Sequence, residues 1–274
     1  MNAVEVRGLH IRGLRDCAFA IPRGRVAALV GPNGVGKTTL MHVLVGLLAP
    51  AGGTVTTAGD VAFMAQDKPL FHGFTVAELL TFGRRTNPVW DEAAARSRLA
   101  ELDIPLDRRA RRLSGGQQAQ VALTLALARR PALLVLDEPL ANLDPLARHD
   151  VMRALMAEVA ERELTVLISS HVIADLRDTC DWLIVLNGGR VQVGGDIDEL
   201  LERHLLLTGP PGLAEPAQVV AAGRAGGQVT LLVKDAGALD PRWSARGVGL
   251  DELVMAYLRS PESAALPRLA GVPQ

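Results

Sequence analysis

Residues Gly31-Pro-Asn-Gly-Val-Gly-Lys-Thr38 have a spacing that can hold a polyphosphate. Glycines let consecutive backbone N–H groups turn inward around an anion, and a helix that opens directly after them adds its positive N-terminal end. The flanks fit. Val26 to Val30 is an apolar run of strand length, and a helix-like stretch follows from Lys37 to about Leu48. In this reading Gly31, Pro32, Asn33, Gly34, Val35 and Gly36 line the phosphates. Lys37 reaches the outer two, and the Thr38 hydroxyl ligates Mg²⁺. The chain has 26 arginines and 3 lysines, so a lysine at position 37 suggests that a compact ammonium is needed there.

Two further segments carry chemistry. Leu133-Leu-Val-Leu-Asp-Glu138 places two carboxylates at the end of a strand-length apolar run. Ligands of open α/β sheets bind outside the carboxyl ends of strands. Asp137 is thereby placed to hold Mg²⁺, directly or through water, and Glu138 to orient or deprotonate an attacking water. Leu113-Ser-Gly-Gly-Gln117 sets a helix-capping Ser114 before Gly115 and Gly116, a second anion-receiving helix start. One domain does not need two phosphate sites for one nucleotide, but two copies arranged head to tail would use both.

The elements that position these residues alternate. Strands are expected at Val4 to Arg7, Val26 to Val30, Thr54 to Thr57, Val61 to Met64, Leu133 to Leu136, Thr165 to Ile168, 182–186 and 190–193. Helices are expected from Thr75, with Glu78 in capping-box position, to about Arg84, and over Trp90 to Leu102. One should follow Gly115-Gly116 and run to Arg129, and others should run from Pro145 to about Arg162 and over 172–180. This alternation predicts a largely parallel α/β sheet. Leu207-Thr-Gly-Pro-Pro-Gly212 is expected to be a linker. Beyond it, strands are expected over Gln218 to Ala222 and Gln228 to Val233, a helix over Leu250 to Arg259, and a loose tail from Pro261.

In combination these motifs resemble the nucleotide-binding subunits of ATP-binding cassette (ABC) transporters, and within them the bacterial exporter-type, ABC-2-like subunits. The resemblance covers about residues 1–203. It implies a P-loop NTPase core with a mixed, largely parallel sheet, an antiparallel β subdomain and a helical subdomain over about 67–130. Residues 204–274 would be a small C-terminal α/β appendage. Gly31 to Thr39 resembles the Walker A loop, which adds Thr39 to the nucleotide-binding residues. Gln66 resembles the Q-loop glutamine, which senses Mg²⁺ and the transmembrane partner. Leu113 to Gln117 resembles the signature motif, Leu133 to Glu138 Walker B with the catalytic glutamate, and Ala141 to Asp144 the D-loop. His171 resembles the switch histidine that contacts the γ-phosphate.

The implied function is ATP hydrolysis that drives substrate movement, in the direction of export, through a separate membrane permease. Two subunits would sandwich two ATP. Ser114, Gly115, Gly116, Gln117 and Asp144 of one copy would then complete the nucleotide site of the other. A homodimer is expected and a heterodimer stays open. So does a soluble ABC ATPase that remodels a protein assembly. The segment from Gln66 to Thr86 would carry motion to the permease.

The chain departs from the family in two respects. The stretch Leu9 to Asp16 has no Tyr, Phe or Trp to stack on adenine, and His10 is its only ring, so base selectivity should be soft. Arg108, Arg109, Arg111 and Arg112 precede the signature, either as a solvated face or as contacts to phosphate or a partner.

Composition sets the remaining bounds. With a formal net charge of −1, no bulk field recruits nucleic acid, and aromatic content of 3% leaves few stacking platforms for single strands. Cys17 and Cys180 lack metal or redox spacing and are expected to be reduced. Charges at Glu5, Arg7, Arg12, Arg15 and Asp16 interrupt any leader-like pattern. The longest apolar candidate, Val121 to Leu136, is broken by Arg129, Arg130 and Pro131, so for work at a membrane another chain must supply the spans. The expected place is the cytoplasm, at the inner face of the membrane.

Overall fold

The computed structural model describes residues 1–260 apart from Pro69, His171, Val172, Ala174, Asp175, Arg177 and Asp178. The first half comprises β1 (Asn2–Ile11), β2 (Leu14–Pro22), β3 (Val26–Val30), α1 (Lys37–Leu44), β4 (Gly52–Thr57), β5 (Val61–Met64), α2 (Val76–Thr86), α3 (Glu92–Glu101), α4 (Gly115–Ala128) and β6 (Leu133–Leu136). It continues through α5 (Pro145–Glu161), β7 (Thr165–Ser170), β8 (Trp182–Asn187), β9 (Arg190–Asp196), α6 (Ile197–Glu202), β10 (His204–Gly209), β11 (Val219–Ala225), β12 (Gln228–Lys234), β13 (Ser244–Gly247) and α7 (Leu250–Arg259).

The central sheet has the order β5-β6-β7-β3-β8-β9, parallel except for β9. Its middle strands are continuous apolar runs because both of their faces are covered. Alternation then sorts their side chains. Val26, Ala28 and Val30 face a core built with α4, α5 and α7, whereas Ala27 and Leu29 face a second core with α1 and the β2-β1-β4 antiparallel sheet. Leu134, Leu136 and Ile168 are fully buried, and each such side chain stabilises the fold by about 1.5–3 kcal/mol.

Register decides which residues meet. Val30 pairs with Ser170, and Leu136 with Ile168. Parallel strands paired this way end at one edge, so the glycine loop after β3 and the carboxylates after β6 emerge side by side. A helical unit of α2, α3 and α4 has its own core around Leu80, Leu99 and Val121. Thr75 starts it with the expected capping box to Glu78.

Several boundaries differ from the sequence reading. The N-terminus is a hairpin of β1 and β2, not one short strand. Its two-residue turn puts Arg12 at φ 42° and Gly13 at φ 90°, the left-handed pair that tight hairpins require. Helix α1 ends at Leu44, short of Leu48, where Gly46 at φ 76° breaks the helical path. The expected linker is a strand over its first half. Leu207, fully buried, pairs with Leu231 and Ala245 in a four-stranded antiparallel sheet of order β11-β12-β10-β13. Only long-range pairing marks β13, since Ser-Ala-Arg-Gly has no apolar alternation. The helix expected over 172–180 and the tail from 261 fall largely or wholly outside the described residues.

The C-terminal elements share the central core: Val220, Leu232, Leu253 and Tyr257 belong to the same buried cluster as Val185. Asn187, at the end of β8, donates to the carbonyls of Tyr257 (3.2 Å) and Leu258 (2.8 Å) near the end of α7. His204 is fully buried. Its Nδ1 lies 2.6 Å from the Leu200 carbonyl, which can only accept, so Nε2 accepts from the Tyr257 hydroxyl at 2.9 Å. Burial, the largest influence, lowers the His204 pKa below its ordinary 6.5. The unfolded chain then takes up this proton at a higher pH than the folded one. The stabilisation is complete above pH 6.5 and is lost as pH falls from 6.5 through the folded value. Melting curves should show a fall of roughly 2–4 °C for each kcal/mol lost on acidification from pH 7.5 to 5.5. His204→Gln should flatten that slope, and an unchanged slope would remove His204 as its source.

Candidate functional site

The glycine loop closes the end of β3 against β8. A Cβ added at Gly31 would overlap the backbone oxygen of Leu186. At Gly36, φ is 112° and an added Cβ would lie 2.6 Å from Leu14 Cδ2. Both positions are therefore restricted to glycine by the fold, and Gly34 at φ 78° by its backbone. Lys37 opens α1. It is 6% exposed, and its ammonium donates to the carbonyls of Gly31 (2.7 Å) and Pro32 (3.2 Å). Burial lowers its pKa, opposed by the carboxylates of Glu138, 3.9 Å away, and Asp137.

Asp137 is 3% exposed and is held at both oxygens. Thr38 Oγ1 donates to Oδ2 at 2.7 Å, and Ser169 Oγ donates to Oδ1 at 2.6 Å. Ser169 in turn accepts the Glu138 N–H at 2.8 Å. Glu138 itself has φ 43°, a left-handed conformation that costs a non-glycine residue about 1–3 kcal/mol. The strained turn presents its carboxylate beside Lys37 and within 3.4 Å of Gln66 Nε2. The Thr38 hydroxyl and Asp137 carboxylate form a hard oxygen pair, the donor type that Mg²⁺ takes, with the Gln66 amide on the same side through Glu138. The cradle and the donor set thus fit a magnesium-bound polyphosphate.

The other predicted residues gather elsewhere. Ser114 caps α4 through the Gln117 N–H, and Gln117 returns the contact to the Ser114 N–H. Asp144 caps α5 through the Ala147 N–H at 2.9 Å. These two helix starts touch: a groove of about 210 Å³ is lined by Ser114, Gly116, Gln117, Asp144 and Ala147. An added Cβ at Gly116 would lie 3.0 Å from Ala147, but at Gly115 it would meet nothing within 4 Å. A side chain at Gly115 would thus be unobstructed, so no packing within the chain accounts for a glycine there.

The sequence-predicted residues thus form two groups. Gly31 to Thr39, Gln66, Asp137 and Glu138 make one, and Ser114 to Gln117 with Asp144 make the other. His171 lies outside the described residues. His10 is exposed on β1, its Nδ1 2.7 Å from the Gly8 carbonyl. Ser169 was missed by the sequence reading. Its only signal was a serine ending a buried strand. Cys17 and Cys180 are both free and buried, as expected. Among the described residues, no helix is long and apolar enough to cross a membrane. Gly31→Ala should weaken ATP binding at least about tenfold, because it displaces the cradle from β8. Titration with a fluorescent ATP analogue measures this, and wild-type affinity would contradict the cradle.

Comparison with known proteins agrees with this geometry. The ABC transporter family model matches residues 14–141. The chain is 32% identical over 203 residues to the ABC transporter ATP-binding protein YtrB of Bacillus subtilis, covering 70% of each chain. It is 33% identical over 217 residues to the thiamine import ATP-binding protein ThiQ of Salmonella typhimurium, covering 73% of this chain and 92% of that one. A solved ATP-binding subunit of an ABC transporter superposes with a TM-score of 0.66 at 27% identity, over 73% of this chain and 92% of that one. The chain therefore belongs to the ABC transporter family, as an ATP-binding subunit whose ATPase activity is coupled to transport.

Proposed function

We propose that two copies of this chain meet head to tail around two ATP, each nucleotide lying between the Lys37 group of one copy and the Ser114–Asp144 group of the other. The observation that carries this is Gly115. It opens a capped helix, faces open space, and answers to no contact within its own chain. A close approach from outside, by phosphate on a second copy, explains it.

In this reading the backbone from Gly31 to Thr39 and the Lys37 ammonium hold the phosphates. Thr38, Asp137 and Gln66 hold Mg²⁺, which supplies charge neutralisation on the phosphates. Glu138 orients or deprotonates the attacking water, and His171 contacts the γ-phosphate. Loss of that phosphate removes the bridge between the copies. Nucleotide favours the closed pair only through its higher affinity for it.

Transport requires a separate permease. Support for its docking place comes from the segment after Gln66. Phe71, Phe74 and Phe82 form an exposed ring cluster, with Phe71 52% exposed and 5.1 Å from each of the other two rings. Phe71 and Phe82 also line an apolar groove of about 580 Å³ with Phe63, Leu70 and Trp90. An exposed aromatic patch of this kind marks an interaction surface. The subunit would then sit at the cytoplasmic face of the membrane. Residues 1–203 serve as the nucleotide-binding domain, with 67–130 as its helical part, and 204–274 as the appendage. Export is the direction proposed, on the small size of that appendage, although ThiQ is named for import.

Glu138→Gln should keep ATP binding, lower turnover by about 100-fold or more, and elute as a dimer in Mg²⁺-ATP. Unchanged turnover removes Glu138 from its role, and a monomer that binds ATP removes the head-to-tail pair. Because no Tyr, Phe or Trp lies between Leu9 and Asp16, kcat/KM for GTP should lie within about tenfold of that for ATP. A larger preference for ATP would require a base-reading group elsewhere.

A further inference from the structure

None of the chain's three lysines is an exposed surface cation. Lys37 and Lys234 are buried, and Lys68 is half-buried in the loop between β5 and α2. Where this chain needs an exposed cation it uses one of its 26 arginines, so Lys68 stands out as a residue with a specific site. Its Nζ donates to the carbonyl of Ala141 at 3.1 Å. The N–H of that same residue donates to the Glu138 carbonyl at 3.0 Å. Ala141 therefore closes a turn that begins at Glu138, and Lys68 holds that turn at the Ala141 carbonyl. The turn is strained at Glu138, with φ 43°, and Asn142 just past it is also left-handed at φ 61°. A strained turn persists only where its surroundings hold it. Two residues away in the same loop, Gln66 reaches the Glu138 carboxylate itself at 3.4 Å. Ala65, Asp67 and Leu70, from this loop, line the apolar groove. Burial lowers the Lys68 pKa, in keeping with an ammonium removed from bulk water.

We propose that Lys68 is a positioning residue for ATP hydrolysis. Its hydrogen bond to Ala141 pins the 138–142 turn, fixes the direction of Glu138, and makes that direction follow the groove-lining loop. The proposal rests on the role given above to Glu138. A displacement of the loop by whatever occupies the groove would reach Glu138 by two routes, through the Gln66 side chain and through the Lys68–Ala141 bond. Lys68 touches neither nucleotide nor water in this scheme, so it should affect turnover and not ATP affinity.

The test compares the full-length chain with Lys68→Met, which keeps the length of the stem without a donor, and Lys68→Arg, which keeps a charged donor. Hydrogen bonds from charged groups are among the stronger ones, so Lys68→Met should lower kcat by about fivefold to tenfold and leave KM for ATP within about twofold. Backbone hydrogen exchange over 138–144 should quicken by about tenfold, with no change elsewhere in the chain. Lys68→Arg should recover more than half of the lost kcat. The proposal is overturned if Lys68→Met keeps wild-type kcat and exchange. It is also overturned if KM rises while kcat holds, if both variants lose equally, or if exchange quickens throughout with a lowered melting temperature. Glu138→Gln run in parallel separates the two readings: persistent turnover there would remove the role of Glu138, while exchange over 138–144 still reports on the Lys68 clamp alone.

Discussion

A carboxylate taken out of water must be paired or neutralised, and Asp137 is almost wholly buried at the end of a dry strand. Its two oxygens are met by the hydroxyls of Thr38 and Ser169, which come from the helix after the glycine loop and from the neighbouring strand. Three separate stretches of chain are tied together at this one group. Ser169 passes the constraint on by accepting the Glu138 N–H, so one hydroxyl holds both the buried carboxylate and the backbone of the next residue. The arrangement depends on β6, β7 and β3 being parallel and paired in register, because only then do their carboxyl ends deliver these groups to one edge.

The same edge stores strain. Gly34 and Gly36 are left-handed at no steric cost, but Glu138 and Asn142 are left-handed with side chains. Left-handed side chains occur in other loops too, among them Asp103, Arg130 and Asp235, but Glu138 and Asn142 fall in the loop that would border the nucleotide. A rigid sheet with strained loops above it can hold reactive groups in place without an equally strained core. Each of the loops is tied to the next: Lys37 to the carbonyls of its own loop, Gln66 to Glu138, and Lys68 to Ala141.

The second group, Ser114 to Gln117 with Asp144, is well capped and needs nothing more from its own chain. Its satisfied caps and open Gly115 make it a finished surface facing outward. The aromatic cluster of Phe71, Phe74 and Phe82 is a second outward surface, on the loop and helix that follow Gln66. Both surfaces connect to the Asp137 edge through short loops, since Asp144 lies six residues after Glu138 and Phe71 five after Gln66.

Much of this was legible in the sequence because its information is local. The glycine loop, the capping box at Thr75, the helix cap at Ser114, the buried strands Val26–Val30 and Leu133–Leu136 and the helix Leu250–Arg259 each follow from residue types within a few positions of one another. The hairpin at Arg12-Gly13, strand β10 under the expected linker, and β13 did not, because pairing with distant strands forms them and their own composition says little. Sequence likewise named Thr38, Asp137 and Glu138. It could not name Ser169 or Lys68, since a serine ending a strand and a lysine in a loop gain meaning only from the atoms they meet. Residue type thus determined which groups could bind phosphate and act on water. Tertiary structure decided which of them touch, because hydrogen bonds act over about 3 Å and only strand register brings residues some thirty or a hundred positions apart within that reach.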